Sequence, residues 1–203
     1  MRPRTEPEAT RSFRPAEPVR FTVVLDACVL APHPLFDVLL RMAYRDMFTP
    51  LWSEQILDEA YRTAVEKLGV DAGKAAHRFA TMREIFPDAS VRGHEPLIPA
   101  MTNHPKDRHV LAAAVRARAA LIVTSNLKDF PGEALAPFDI VVKSPDEFLC
   151  DQFELDQNLT RAVLEEMWAG YSRPPRGWDE FSRYMEPATP EFAAAIRRMM
   201  SGH

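Results

Sequence analysis

Carboxylates stand at the ends of three apolar segments of this chain, where an acid is hard to strip of water without a cation beside it. Asp26 closes the run Phe21-Thr22-Val23-Val24-Leu25. Asp107 opens the stretch Asp107-Arg108-His109-Val110-Leu111-Ala112-Ala113-Ala114, and Asn126 and Asp129 follow Leu121-Ile122-Val123-Thr124. Ionised groups at such positions need a neutralising partner. A divalent metal shared by several acids would supply one, and its chemistry is the hydrolysis of phosphodiesters.

Asp107 is the most informative of these. At about 100° per residue it falls in line with Leu111 and Ala114, on the apolar stripe of its helix. The helix dipole stabilises an acid there by about 0.3–1 kcal/mol, too little to offset several kcal/mol of desolvation. Glu59 reads differently. The stripe of its helix is Ile56, Leu57, Ala60, Tyr61, Ala64 and Leu68. Glu59 lies off that stripe, so periodicity assigns it to a solvated face, beside Arg62 or Glu66. His104 and His109 flank Asp107 and read as surface or capping residues. Cys28 reads as a small core residue rather than a nucleophile, and Trp52, Trp168 and Trp178 as packing.

The elements that must position these groups alternate between strand and helix, which predicts an α/β domain with a mostly parallel sheet. A strand over Phe21–Leu25 precedes a helix over 34–44. Ser53 is an N-cap for a helix reaching Leu68, and a further helix over 71–86 is stopped by Pro87. The segment 91–105, with three prolines, is a loop around at most one short strand. A helix over 107–119 and strands over Leu121–Thr124 and Ile140–Lys143 follow. Ser144-Pro145-Asp146-Glu147 has the spacing of a capping box and starts another helix. In open parallel sheets the ligand crevice lies beyond the carboxyl ends of the strands. Asp26, Asn126 and Asp129 all fall there, though position alone equally suits Asp26 as a turn-initiating or N-capping residue and Asn126 or Asp129 as turn residues.

Three segments are expected: a flexible tail over 1–20, the α/β domain over 21–151 and a helical extension over 152–203. The tail carries four prolines and five arginines. The extension shows helical periodicity over 159–171, 178–184 and 190–200, interrupted by Arg173-Pro174-Pro175-Arg176-Gly177. With 203 residues, 46% of them hydrophobic, the chain can bury one sizeable core. No apolar run reaches the roughly 20 residues that span a bilayer, and the N-terminus lacks a signal peptide's apolar centre, so a cytoplasmic location is expected. Two cysteines make no disulfide framework. The net charge of −4 is neutral on nucleic-acid binding, because a basic rim around an acidic site is enough.

Four segments in register resemble the PIN-domain family: Val24-Leu25-Asp26-Ala27-Cys28-Val29-Leu30, Trp52-Ser53-Glu54-Gln55-Ile56-Leu57-Asp58-Glu59, Asp107 to Ala114, and Ile122-Val123-Thr124-Ser125-Asn126-Leu127-Lys128-Asp129-Phe130-Pro131. The closest branch is that of VapC-type toxins, in a form with a helical C-terminal extension. The resemblance implies a Rossmann-like α/β/α fold and Mg²⁺- or Mn²⁺-dependent cleavage of RNA, with tRNA or rRNA as substrate. A cognate antitoxin protein and a homodimer are implied as well. The family's first three acids correspond to Asp26, Glu59 and Asp107, which reverses the reading of Glu59 from periodicity. At the place of the fourth acid this chain has Asn126, and Asp129 is the candidate to replace it.

A second departure is Asn103-His104-Pro105-Lys106, where the branch often has more acid. Lys106 either weakens metal binding or contacts the scissile phosphate, and Arg62 and Lys128 are further candidates for phosphate contacts. These departures motivate the alternative of a catalytically weak RNA- or protein-binding module. A phosphotransferase of the haloacid-dehalogenase type would want an acid two residues after Asp26, where Cys28 stands.

Overall fold

The computed structural model describes residues 21–171 and 177–201. The tail expected over 1–20 and positions 173–176 of the Pro-rich break lie outside them. In chain order the sheet is built from β1 (Thr22–Leu25), β2 (Thr49–Leu51), β3 (Leu121–Val123) and β4 (Val141–Lys143). All pairings are parallel, in the order β2-β1-β3-β4. Val23, Val24, Leu25, Ile122 and Val123 are wholly buried. That is why the two central strands read as continuous apolar runs: helices cover both faces of a parallel sheet. β2 is the one strand that periodicity did not mark. It is three residues long and contains Pro50, which an edge strand tolerates because one side of its ladder is unused.

The connections are helical. α1 (Ala27–Leu30) and α2 (Leu35–Tyr44) follow β1, and α3 (Glu54–Arg62) and α4 (Ala72–Ile85) follow β2. Ser53 caps α3 by accepting from the Ile56 N–H at 3.2 Å, and Asp71 caps α4 through the Lys74 N–H. α3 then continues as a π-helical turn over Thr63–Lys67, a wider winding found disproportionately at functional sites. Short 3₁₀ turns at Glu95–Ala100 and Pro105–Asp107 lead into α5 (Arg108–Ala117). After β3 come a 3₁₀ turn at Leu127–Asp129 and the short α6 (Gly132–Leu135).

After β4 come α7 (Pro145–Leu155), α8 (Gln157–Ala169), α9 (Trp178–Met185) and α10 (Pro190–Ser201). The capping box at Ser144 is formed in full. α7 runs through the 151/152 boundary, and Val163, Met167, Phe181 and Phe192 of the later helices share one continuous core with the sheet. Asp146 of α7 accepts from the backbone N–H groups of Glu191 (3.1 Å) and Phe192 (2.9 Å), satisfying otherwise orphaned donors at the start of α10. Trp168 and Trp178 pack on each other, with ring centroids 4.5 Å apart. Among the described residues, no helix is long and apolar enough to cross a membrane.

The strand order fixes where chemistry can happen. From β1 the chain winds one way to β2 and the other way to β3 and β4. The switch point therefore lies between β1 and β3, and the crevice opens at their carboxyl ends.

Candidate active site

Asp26 and Thr124 occupy that crevice as the residues that follow β1 and β3. The Asp26 N–H donates to Val123 O at 3.1 Å, so the carboxylate is fixed from its own backbone outward. It is 3% exposed. Its Oδ1 accepts from the Ala27 N–H at 2.6 Å, which caps α1. Its Oδ2 accepts from the Thr124 hydroxyl at 2.6 Å and from the Cys28 thiol at 3.1 Å. Thr124 Oγ and Cys28 Sγ also lie 3.3 Å apart, a contact in which either can donate, and both accept from backbone groups. Thr124 Oγ accepts from the Asn126 N–H (3.0 Å) and Cys28 Sγ from the Ser125 N–H (3.2 Å). Both side-chain protons are therefore free to point at Asp26. Three donors fill three of the roughly four lone-pair directions of a carboxylate, leaving one for a ligand. Burial, then the adjacent Asp26 charge, pushes the Cys28 thiol up to about 12, so it remains a protonated donor and is neither nucleophile nor thiolate ligand.

Asp107 is placed quite differently. It occupies the N-cap position of α5 but makes no side-chain capping bond, and its side chain is 14% exposed. Burial raises its carboxyl above the ordinary carboxylate range, and the charges of Asp26 and Asp129 raise it further, against the opposing pull of His104 and His109. Asp107 thus lies close enough to both Asp26 and Asp129 to be raised by their charges. Asp129 ends the 3₁₀ turn after β3, with its N–H on Asn126 O (2.9 Å) and its carbonyl accepting from the His104 N–H (3.0 Å). One ligand atom each of His104, Asp107 and Asp129 lie within 4.8 Å of one another.

Glu59 reaches the same cleft from α3. Its side chain is 30% exposed, and its Oε2 lies 3.3 Å from Nε2 of the buried His109. That contact is an ion-pair distance but not a well-aligned hydrogen bond, since Nε2 has no partner of good geometry. Gln55 also donates to Glu59, at 3.4 Å. Burial alone would raise the Glu59 carboxyl; the His109 contact and charge, with Gln55 and Arg62, outweigh it and leave the group lowered. A cleft of about 410 Å³ is lined by Glu59, Asp107, Arg62, Lys106 and residues of the π-helical turn.

The sequence-derived residues are therefore brought together in two steps. Asp26, Asp107 and Asp129 form one group, and Glu59 joins Asp107 across the cleft with Arg62 and Lys106 on its walls. Asn126 contributes backbone groups, its N–H to Thr124 and its carbonyl to Asp129. Lys128 is exposed on the 3₁₀ turn and does not line the cleft. Two functional side chains were underweighted by the sequence reading. His109 is buried against Glu59 rather than on the surface, and Thr124 is the hydroxyl that orients Asp26. The donor set of carboxylates with one imidazole, together with the repulsion felt by Asp107, fits a divalent cation.

A parallel sheet whose switch-point crevice gathers acids from β1, α3, α5 and the turn after β3 defines a class of nuclease-like α/β domains. The chain belongs to the PIN-domain family: the family model for the PIN domain matches residues 22–128, and that for the VapC50 C-terminal domain matches residues 145–198. Among curated proteins it is similar to "Putative ribonuclease VapC50" of Mycobacterium tuberculosis (strain ATCC 25618 / H37Rv), with 49% identity over 107 residues. The match covers 53% of this chain and 63% of that protein's length. No solved structure matches.

Proposed function

We propose that the chain is a divalent-metal-dependent endoribonuclease acting as the toxin of a toxin–antitoxin pair. The observation that carries this reading is the convergence of Asp26, Asp107 and Asp129 at the switch point, with Asp107 raised by burial and by its two neighbours. Asp26, Asp107, Asp129 and Glu59 are the residues that would hold Mg²⁺ or Mn²⁺. When bound, such an ion activates water and stabilises the charge that develops on phosphate.

The chain's own groups have definable parts in that chemistry. Thr124 and Cys28 orient the Asp26 carboxylate through its Oδ2. His109 holds Glu59 at the cleft wall. Arg62 and Lys106 line the cleft and are placed to meet RNA phosphates, with Lys128 further out on the turn; charge-assisted contacts of this kind position a backbone without reading sequence. The α/β domain of residues 21–151 would carry the cleavage, with tRNA or rRNA as substrate. A cognate antitoxin, homodimerisation and a cytoplasmic location complete the reading, which the similarity to VapC50 supports. The extension over 152–203 would support the fold from α2 and α7.

Cleavage of a tRNA and rRNA panel by the purified chain, with Mn²⁺, with Mg²⁺ and with EDTA, tests the proposal beside Asp26→Asn. Metal-dependent cuts absent from the variant are expected. Folded, metal-loaded protein that binds RNA without cutting it would favour the binding module instead, and Lys106, which lines the cleft beside Asp107, is the feature that speaks for it.

A further inference from the structure

Resting on the metal-centre reading above, we propose that His104 is a direct donor to the ion and makes the site select Mn²⁺ over Mg²⁺. His104 stands three residues before Asp107, and a donor atom of each lies within 4.8 Å of the other and of one from Asp129. Its Nδ1 is 3.5 Å from Asp107 Oδ2. The same nitrogen accepts from the Lys106 N–H, but at 3.4 Å, a long and weak bond. That contact places the lone pair on Nδ1, on the side of the ring that faces the acids, and it is weak enough to yield to an ion. The side chain is 44% exposed, so an ion and its waters can reach it.

Backbone geometry holds the three donors in register before any ion binds. The His104 N–H donates to Asp129 O (3.0 Å), joining the loop before α5 to the turn after β3. The Asp107 N–H donates to His104 O (2.9 Å), and Pro105 restricts the backbone between them.

The nitrogen decides the preference. Mg²⁺ is a hard ion that favours oxygen donors and gives up water reluctantly. Mn²⁺ stands at the weak end of the first-row series for mixed nitrogen and oxygen sites, yet as a softer ion it accepts an imidazole nitrogen more readily than Mg²⁺ does. Replacing one water or oxygen donor of the carboxylate site by an imidazole therefore favours Mn²⁺ over Mg²⁺.

The test is metal binding, read without RNA. Metal-free full-length protein is titrated with Mn²⁺ by electron paramagnetic resonance, Mg²⁺ competes for the site, and pulsed spectra report ¹⁴N coupled to bound Mn²⁺. The expected result is nitrogen coupling in the wild type that disappears in His104→Gln. That variant should lose Mn²⁺ affinity by about tenfold or more, the loss seen even for outer-shell partners of metal ligands, with a smaller change for Mg²⁺. His104→Asp, which keeps a donor but makes it oxygen, should narrow the Mn²⁺/Mg²⁺ ratio. Bound Mn²⁺ without nitrogen coupling, coupling that survives in His104→Gln, or an unchanged ratio in both variants overturns the assignment and leaves the nuclease reading standing. Wild-type protein that binds no Mn²⁺ overturns both.

Discussion

The two halves of the acidic centre are built in opposite ways. On the β1 side, Asp26 is almost wholly buried, yet three protein donors satisfy its oxygens. On the α5 side, Asp107 is more exposed but faces two like charges and, among the described residues, receives just the long His104 contact. Burial raises the Asp107 carboxyl first and the two like charges add to it, while the oxygens of Asp26 are met by protein donors. One half is made rigid by the protein's own hydrogen bonds, while the other is complementary to a cation the protein does not itself supply.

Removing either carboxylate tests whether both halves serve one reaction. Asp26→Asn and Asp107→Asn should each reduce metal-dependent RNA cleavage by on the order of a hundredfold or more, since losing even an outer-shell partner costs about 10–100-fold. Single-turnover cleavage at saturating Mn²⁺ measures it, and wild-type rates in either variant would break the pairing. A smaller effect isolates the rigid half. Thr124→Val removes one donor to Asp26 and keeps the shape. Metal affinity or cleavage should fall by about 10–100-fold, as for other groups that orient ligands. Unchanged affinity would mean that the Cys28 and Ala27 donors suffice.

Legibility in the sequence followed locality rather than the two halves: Asp107 is marked by its place on the apolar stripe of its helix. Asp26 is marked by its place at the end of an apolar run, and the capping box at Ser144 is a local spacing; both depend on neighbours a few residues away. The other groups depend on distant partners. Glu59 lies off its helix's apolar stripe, and the partner that draws it to the cleft is His109, fifty positions along the chain. Thr124 is a plain strand-end threonine until the β1–β3 pairing sets it beside Asp26. His104 does cap the turn before α5, as read, but its contact with the turn after β3 is tertiary. β2 was hidden because three residues with a proline carry no alternation.

A third effect separates stability from catalysis. Asp107 is raised in the folded state, by burial first and then by Asp26 and Asp129, so the folded protein holds that proton more tightly than the unfolded chain. Its contribution to stability therefore falls as pH rises from the ordinary carboxylate value through the raised one. In EDTA at neutral pH, Asp107→Asn should melt above the wild type. Added Mn²⁺ should reverse the order, because the ion stabilises only a site that binds it. Thermal melts of both proteins, with and without the ion, measure this. A variant that melts lower in EDTA would show that Asp107 is stabilising by itself and that the two halves are alike.

The smallest effect comes from an ion pair with the opposite sign. Arg83 of α4 grips Glu54 of α3 with Nη2 at 2.6 Å from Oε2 and Nε at 3.2 and 3.1 Å from the two oxygens. The Arg83 hydrogen bond lowers the Glu54 carboxyl. Both side chains are well exposed, so water and salt screen the pair, and Arg83→Ala should cost only about 0.2–1 kcal/mol. That contribution is present above the ordinary carboxylate range and is lost as pH falls through the lowered Glu54 value, the reverse of Asp107. Urea denaturation of wild type and Arg83→Ala at neutral pH, repeated at high salt, reads it directly. The gap between the two proteins should shrink with salt. The Asp107 gap in EDTA should shrink less, because burial is the largest single cause that raises that carboxyl and salt does not screen it.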